Sequence, residues 1–214
     1  MIVLINPNST GSMTDAMLRT ARAVAPGAVI EGWTSHAGPP AIQGEVDGAL
    51  AEAPLLALVE QAAAAGASAI IIGCFDDTAL SQARAAVSCP VIGIGQAAYH
   101  LAATLGPRFS VVTTLQVSVP ILERNIQAYG LGHALSRVRA SDVPVLDLER
   151  DATAATDRVL SEVQAAAAQD DVQSVVLGCA GMVDIAGQAP GGTRVHLIDG
   201  VRAAAMFAAS VEVV

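Results

Sequence analysis

Ile70-Ile71-Ile72-Gly73-Cys74 recurs, 105 residues further on, as Val175-Val176-Leu177-Gly178-Cys179. Each stretch is an apolar run of strand length closed by a glycine, with a thiol as the first side chain beyond it. The same ungapped offset carries Gly95 onto Gly200 and Val91–Ile94 onto His196–Asp199. It also carries the helix-like Ala97–Ala103 onto Arg202–Ala208. Upstream, Leu4-Ile5-Asn6-Pro7 falls on Val111-Val112-Thr113-Thr114 at a similar offset. An offset near half of 214 residues means two copies of one α/β unit. Cys89 serves as a control: it falls on Arg194, has no mate, and is assigned a structural role.

Around these repeats, short β-branched runs bounded by Gly and Pro alternate with Ala-rich helical stretches. Strands are expected at Ile2–Ile5, Val29–Trp33, Ala69–Gly73, Val91–Ile94, Ser110–Thr113, Val175–Gly178 and Val195–Ile198. Helices are expected at Met13–Val24, Pro54–Ala65, Val117–Tyr129, Thr153–Ala168 and Val201–Ala209. Ser12-Met13-Thr14-Asp15 reads as a capping box opening the first helix, and Pro120 suits the first turn of another. Gly191-Gly192 reads as a turn. Apolar strands alternating with helices indicate parallel sheets covered on both faces. The expected fold is α/β: two pseudo-symmetric domains, 1–104 and 105–200, each a mainly parallel sheet flanked by helices, with the active-site cleft between them.

At 53% apolar and 14% charged residues, the chain has ample material for a core and little for long disorder. A net charge of −9 with no basic run argues against nucleic acid or an anionic membrane as partner. All 11 basic residues are arginine. Without a lysine there is no Schiff base, which excludes pyridoxal-phosphate chemistry. His36, His100, His133 and His196 are scattered without metal-ligand spacing, and no Gly-rich loop has a nucleotide-binding pattern, so neither metal nor cofactor is expected. An odd count of three cysteines, with Met1 leading straight into Ile2-Val3-Leu4-Ile5, is expected of a reduced, cytoplasmic protein. The expected partner is a small-molecule substrate, and the apolar helices suit a homo-oligomer.

In parallel sheets, ligands bind beyond the carboxyl ends of the strands, where both Gly-Cys pairs fall. Two units packed about a pseudo-twofold axis would turn Cys74 and Cys179 toward one another. One thiolate can then remove a proton from a stereocentre while a thiol on the opposite face returns one, which is what a racemase requires. Helix N-termini following the two cysteines are expected to lower the thiol pKa values. A single cysteine at a buried strand end is more often a small hydrophobe; two at equivalent positions of a repeat favour function. Asn6, Pro7, Asn8 and Ser9 lie between the first strand and helix, where they form a turn or contact a ligand. Thr113 and Thr114 hold the matching place in the second unit. Asp76 and Asp77 either orient substrate or Cys74, or cap a helix beginning near Thr78. Gly95 and Gly200 give the backbone room near the cleft or make tight turns.

The opening Ile5-Asn6-Pro7-Asn8-Ser9-Thr10 resembles that of the aspartate/glutamate/hydantoin racemase superfamily. So do Ile72-Gly73-Cys74-Phe75-Asp76-Asp77, Pro90-Val91-Ile92-Gly93-Ile94-Gly95, Phe109–Thr114 and Leu177-Gly178-Cys179-Ala180-Gly181-Met182. Together they are most similar to its hydantoin/allantoin racemase branch. The resemblance implies two pseudo-symmetric α/β domains, no cofactor, Cys74 and Cys179 as the two bases, and a C-terminal helix (201–214) packed back on the first domain. Amino-acid racemases typically follow the first cysteine with Asn-Thr and the second with Thr, polar groups that hold an α-carboxylate. Here Phe75 and Ala180-Gly181 follow, which favours an uncharged ring whose carbonyl is held by backbone N–H groups, as in a 5-substituted hydantoin or allantoin. Gln96 stands where the branch leads one to expect Glu. The alternatives are an amino-acid racemase, a decarboxylase or isomerase on the same scaffold, and a redox-sensing or ligand-binding protein whose paired thiols form a reversible disulfide.

Overall fold

Strands β1 (Ile2–Asn6), β2 (Ile30–Thr34), β3 (Ala69–Ile72) and β4 (Val91–Gly93) form one sheet in the order β2-β1-β3-β4. Strands β5 (Phe109–Thr113), β6 (Leu135–Ala140), β7 (Ser174–Leu177) and β8 (His196–Asp199) form a second in the order β6-β5-β7-β8. Every pairing is parallel, and corresponding strands hold corresponding places, so the 105-residue repeat is a repeat of topology. The structure, a computed structural model, describes residues 1–188 and 194–211. The turn expected at Gly191-Gly192 and residues 212–214 of the expected C-terminal helix lie outside the described residues.

All residues of β1, β3, β5 and β7 are buried, because helices cover both faces of each sheet. The helices are α1 (Gly11–Val24), α2 (Glu45–Ala64), α3 (Leu80–Ala86), α4 (Ile94–Leu105), α5 (Val119–Ala128), α6 (Asp147–Arg150), α7 (Ala152–Gln169) and α8 (Gly200–Ser210). Pro120 does sit in the first turn of α5. Three local expectations are corrected. Helix α2 begins at Glu45, not Pro54: the proline frees one carbonyl, that of Leu50, on a side exposed to water. Ser12 is no N-cap, since α1 starts at Gly11 and the Ser12 hydroxyl donates to Glu149 Oε2 at 2.7 Å. Strand β6, Leu-Ser-Arg-Val-Arg-Ala, was not expected at all; it is a half-solvated edge strand whose polar alternation hides it among loops.

Helices α4 and α8 join the two units by exchange. Helix α4 follows the first sheet but also packs over β7 and β8, whereas α8 follows the second sheet and packs over β3 and β4. The two helices lie against each other, and α8 also covers α1. Small residues permit this: Ala97, Ala98 and Ala102 meet a helix carrying Ala204, Ala205 and Ala208, all fully or almost fully buried. A Cβ at Gly200 would stand 2.6 Å from the Ile94 carbonyl oxygen, and one at Gly95 would stand 2.5 Å from that of Phe75. Both glycines are therefore required by close backbone approach. One continuous apolar core results, running from Leu4 and Tyr99 through Phe109 to Ile198.

Candidate active site

Each thiol is presented by the same local construction. The Gly73 N–H donates to the Ile5 carbonyl and the Gly178 N–H to that of Val112, both at 2.8 Å, which extends each central strand pairing by one residue. A side chain at Gly73 would press on Met17 of α1, and one at Gly178 on Val111. The cysteine then opens a turn closed by an N–H···O bond of 3.1 Å, from Asp77 to Cys74 in one unit and from Met182 to Cys179 in the other. In each turn the backbone N–H two residues on, that of Asp76 or Gly181, points at the cysteine sulfur. Thr78 Oγ1 adds a donor to Cys74 Sγ at 3.3 Å, for which the second unit has no counterpart, since Val183 stands there.

Both thiols, each free, line one cleft between the strand ends of the two sheets. Of the residues expected to bind substrate, Asn8, Phe75, Asp76, Thr113, Thr114, Ala180 and Gly181 also line it. Asn6, Pro7 and Ser9 do not. The Asn6 amide is spent on the loop, donating to Asn8 Oδ1, the Thr10 carbonyl and Thr14 Oγ1, while Ser9 pairs through its backbone with Pro39. Thr113 ties the two central strands of its sheet together by donating to the Gly178 carbonyl at 3.0 Å. The Phe75 ring meets Tyr99 edge-on at 5.6 Å in the core. Met13, Ile42, Ser118 and Val145 complete the lining and were not foreseen. For two of them a signal existed, because the 105-residue offset carries Met13 onto Ser118.

Among the described residues, the cleft lining contains neither Arg nor His, and its only ionisable groups are the two thiols and Asp76. The thiols are not activated by α-helix N-termini as expected: α3 begins six residues after Cys74, and only a short 3-10 turn (Ala180–Met182) follows Cys179. Burial pushes the Cys74 thiol up, the Asp76 charge adds to this, and the Thr78 hydroxyl opposes it. Burial also pushes Cys179 up, to about 12, with the Gly181 N–H opposing and Asp76 adding. Burial and the neighbouring charge of Asp77 push Asp76 itself up to about 7. The space between the walls is about 30 Å³, room for little more than a water or two.

Asp77 does not face the cleft. Its carboxylate accepts from the Gly95 N–H at 3.0 Å, the Gln96 N–H at 2.7 Å and the Tyr129 hydroxyl at 2.8 Å. It thus caps α4 from eighteen residues upstream, rather than a helix at Thr78 as the sequence allowed. The Gln96 side chain accepts from Arg84 at 2.7 Å and is absent from the cleft lining. Among the described residues, no three His, Cys, Asp or Glu side chains gather as a metal site. No helix among them is long and apolar enough to cross a membrane.

Paired parallel α/β units meeting at a cleft are the layout of the racemase fold, and comparison with known proteins bears this out. The allantoin racemase from Klebsiella pneumoniae superposes with a TM-score of 0.94 at 37% identity, covering 98% of this chain and 86% of that one. The allantoin racemase from Pseudomonas fluorescens does so with a TM-score of 0.90 at 33% identity, covering 98% and 89%. A hydantoin racemase of Rhizobium meliloti is 43% identical over 208 residues, 97% of this chain and 86% of its own. Residues 2–208 match the family model described as Asp/Glu/Hydantoin racemase. The chain belongs to the Asp/Glu/hydantoin racemase family, as its motifs led us to expect, and it is an isomerase of the racemase type.

Proposed function

We propose that this racemase inverts the C5 centre of 5-substituted hydantoins, allantoin among them, by proton transfer between Cys74 and Cys179. The observation that carries the reading is the pair of cysteine turns, at equivalent strand ends and closed by the same N–H···O bond, that line a single cleft. The thiolate of one takes the C5 proton, and the C–H electron pair passes into the adjacent ring carbonyl as an enolate. The thiol of the other returns its proton to the opposite face, so thiol and thiolate have exchanged places. The proton at C5 is already acidified by the ring carbonyl, and neutral donors on the cleft wall (the Asn8 amide, the hydroxyls of Thr114 and Ser118) suffice to stabilise the enolate.

An uncharged ring suits a cleft whose described lining holds no Arg or His better than an amino acid does, because an α-carboxylate there would find no counter-charge in that lining and meet Asp76. In this reading residues 1–104 and 105–200 are the two units that supply one thiol each, and they part to admit the ring, since a drug-sized ligand site measures roughly 300 Å³ or more. The test is circular dichroism of L- and D-5-substituted hydantoins and of allantoin incubated with the protein. Decay of the signal to zero is expected, and a signal that persists with every compound would overturn the proposal. Cys74→Ser and Cys179→Ser are each expected to lose racemisation, with any residual deuterium exchange at C5 confined to opposite enantiomers. Full activity in either variant is incompatible with two bases.

A further inference from the structure

The cleft is two-fold in its thiols but one-sided in its charge. Where the first unit has Asp76, the repeat places Gly181 in the second. Asp76 lines the cleft, half-buried, and its carboxylate has no hydrogen-bond partner among the described residues. Its backbone is clamped on both sides: the carbonyl accepts from Asn125 Nδ2 of α5 at 2.8 Å, the N–H points at Cys74 Sγ, and the next residue is the thrice-bonded Asp77. A carboxylate on a short side chain and a fixed backbone is a positioned acceptor with nothing yet to accept. Among the described residues, no Arg or His in the lining competes for it.

We propose that Asp76 is a specificity-determining residue, whose carboxylate accepts a hydrogen bond from the ring N–H beside the reacting carbon and turns away substrates that carry a carboxylate. This rests on the hydantoin reading above and deepens it. A hydantoin ring offers two carbonyl acceptors and two N–H donors. Of the side chains lining the cleft among the described residues, the ionised Asp76 is the one whose oxygens accept while it donates nothing, so it selects the ring's orientation. The N1–H edge goes toward Asp76 and the carbonyls go toward the neutral donors elsewhere on the wall. Charge-assisted N–H···O⁻ bonds are the stronger kind, and an unpaired acceptor in a half-buried site gains most from receiving one. The partner excluded is equally definite, because a second carboxylate brought beside Asp76 would be a like charge without a cation between them. The raised pKa of Asp76, pushed to about 7 by burial and by the charge of Asp77, is what an acceptor short of donors should show.

The test measures calorimetric binding of racemic 5-methylhydantoin, 1,5-dimethylhydantoin and 5-carboxymethylhydantoin, beside racemisation of the first. In the unaltered protein, N1-methylation is expected to weaken binding at least about tenfold, the loss of one charge-assisted bond. Asp76→Gly, which copies the second unit, should erase that difference. Asp76→Asn, which keeps the side chain's size, should improve binding of the carboxymethyl compound relative to 5-methylhydantoin by about tenfold or more, the removal of one like-charge contact. Equal sensitivity to N1-methylation in the unaltered and Asp76→Gly proteins, or undiminished exclusion of the carboxylate by Asp76→Asn, would overturn the inference. Binding that follows the expected pattern without racemisation would sustain the role of Asp76 and sink the two-thiol reading instead.

Discussion

Two cysteines in one kind of turn differ because their neighbours differ. Cys74 receives the Thr78 hydroxyl and lies in the loop of Asp76 and Asp77; Cys179 has only the Gly181 N–H to favour its charged form. The unliganded cleft therefore holds neutral thiols, and the local rule that a following helix activates a cysteine fails for want of that helix. Since the Asp76 charge raises both thiols, removing it lowers both. In Asp76→Asn at pH 8, Cys179 is expected to react with iodoacetamide several-fold faster than in the unaltered protein, as followed by mass spectrometry of its peptide. An unchanged or slower rate would contradict this. Cysteine positions were legible from the repeat alone, but ionisation was not, because it depends on burial and on a carboxylate whose direction only folding sets.

Among the secondary-structure elements, α4 shows why a cap need not be local. Its first N–H groups are satisfied by Asp77, which lies before α3 in the chain and is drawn in by the packing of β3 beside β4. The equivalent α8 is capped in the ordinary way by the adjoining Asp199, which accepts from the Val201 N–H at 2.7 Å. Asp77→Ala leaves two backbone N–H groups and the Tyr129 hydroxyl without their acceptor, and is expected to cost about 1–3 kcal/mol in urea unfolding. A variant as stable as the parent would mean that water replaces the carboxylate fully. Central strands such as Ile70–Ile72 were readable because burial on both faces demands unbroken apolar sequence. The edge strand β6 was not, since half of it meets solvent and its arginines serve neighbours: Arg139 pairs with Asp170 at 2.6 Å.

Over the whole molecule, buried carboxyls set the pH response. Burial raises Asp77 and Asp76 to about 7 and Asp199 to about 6, against 3.8 for the free group. The folded chain thus holds these protons more tightly than the unfolded one, and the stability so contributed is complete below pH 3.8 and lost as pH rises through about 6 to 7. Asp170 runs the other way: burial raises it, but Arg139 and the Ser110 hydroxyl outweigh this and hold it below its usual range, so its contribution is lost in acid. The urea midpoint is accordingly expected to be higher at about pH 5 than at about pH 7.5, and a midpoint that climbs across that interval would contradict the assignment. By itself the sequence determined the two α/β units, the central parallel strands and the thiols at equivalent strand ends, because repeat and apolar pattern are properties of the chain read in line. Only the tertiary structure decided that α4 and α8 each pack over both sheets, that Asn6, Pro7 and Ser9 are not part of the cleft lining, and that Asp76, whose carboxylate has no hydrogen-bond partner among the described residues, lines the same cleft as both thiols. Those facts depend on which surfaces meet, and residues far apart in the chain settle that together.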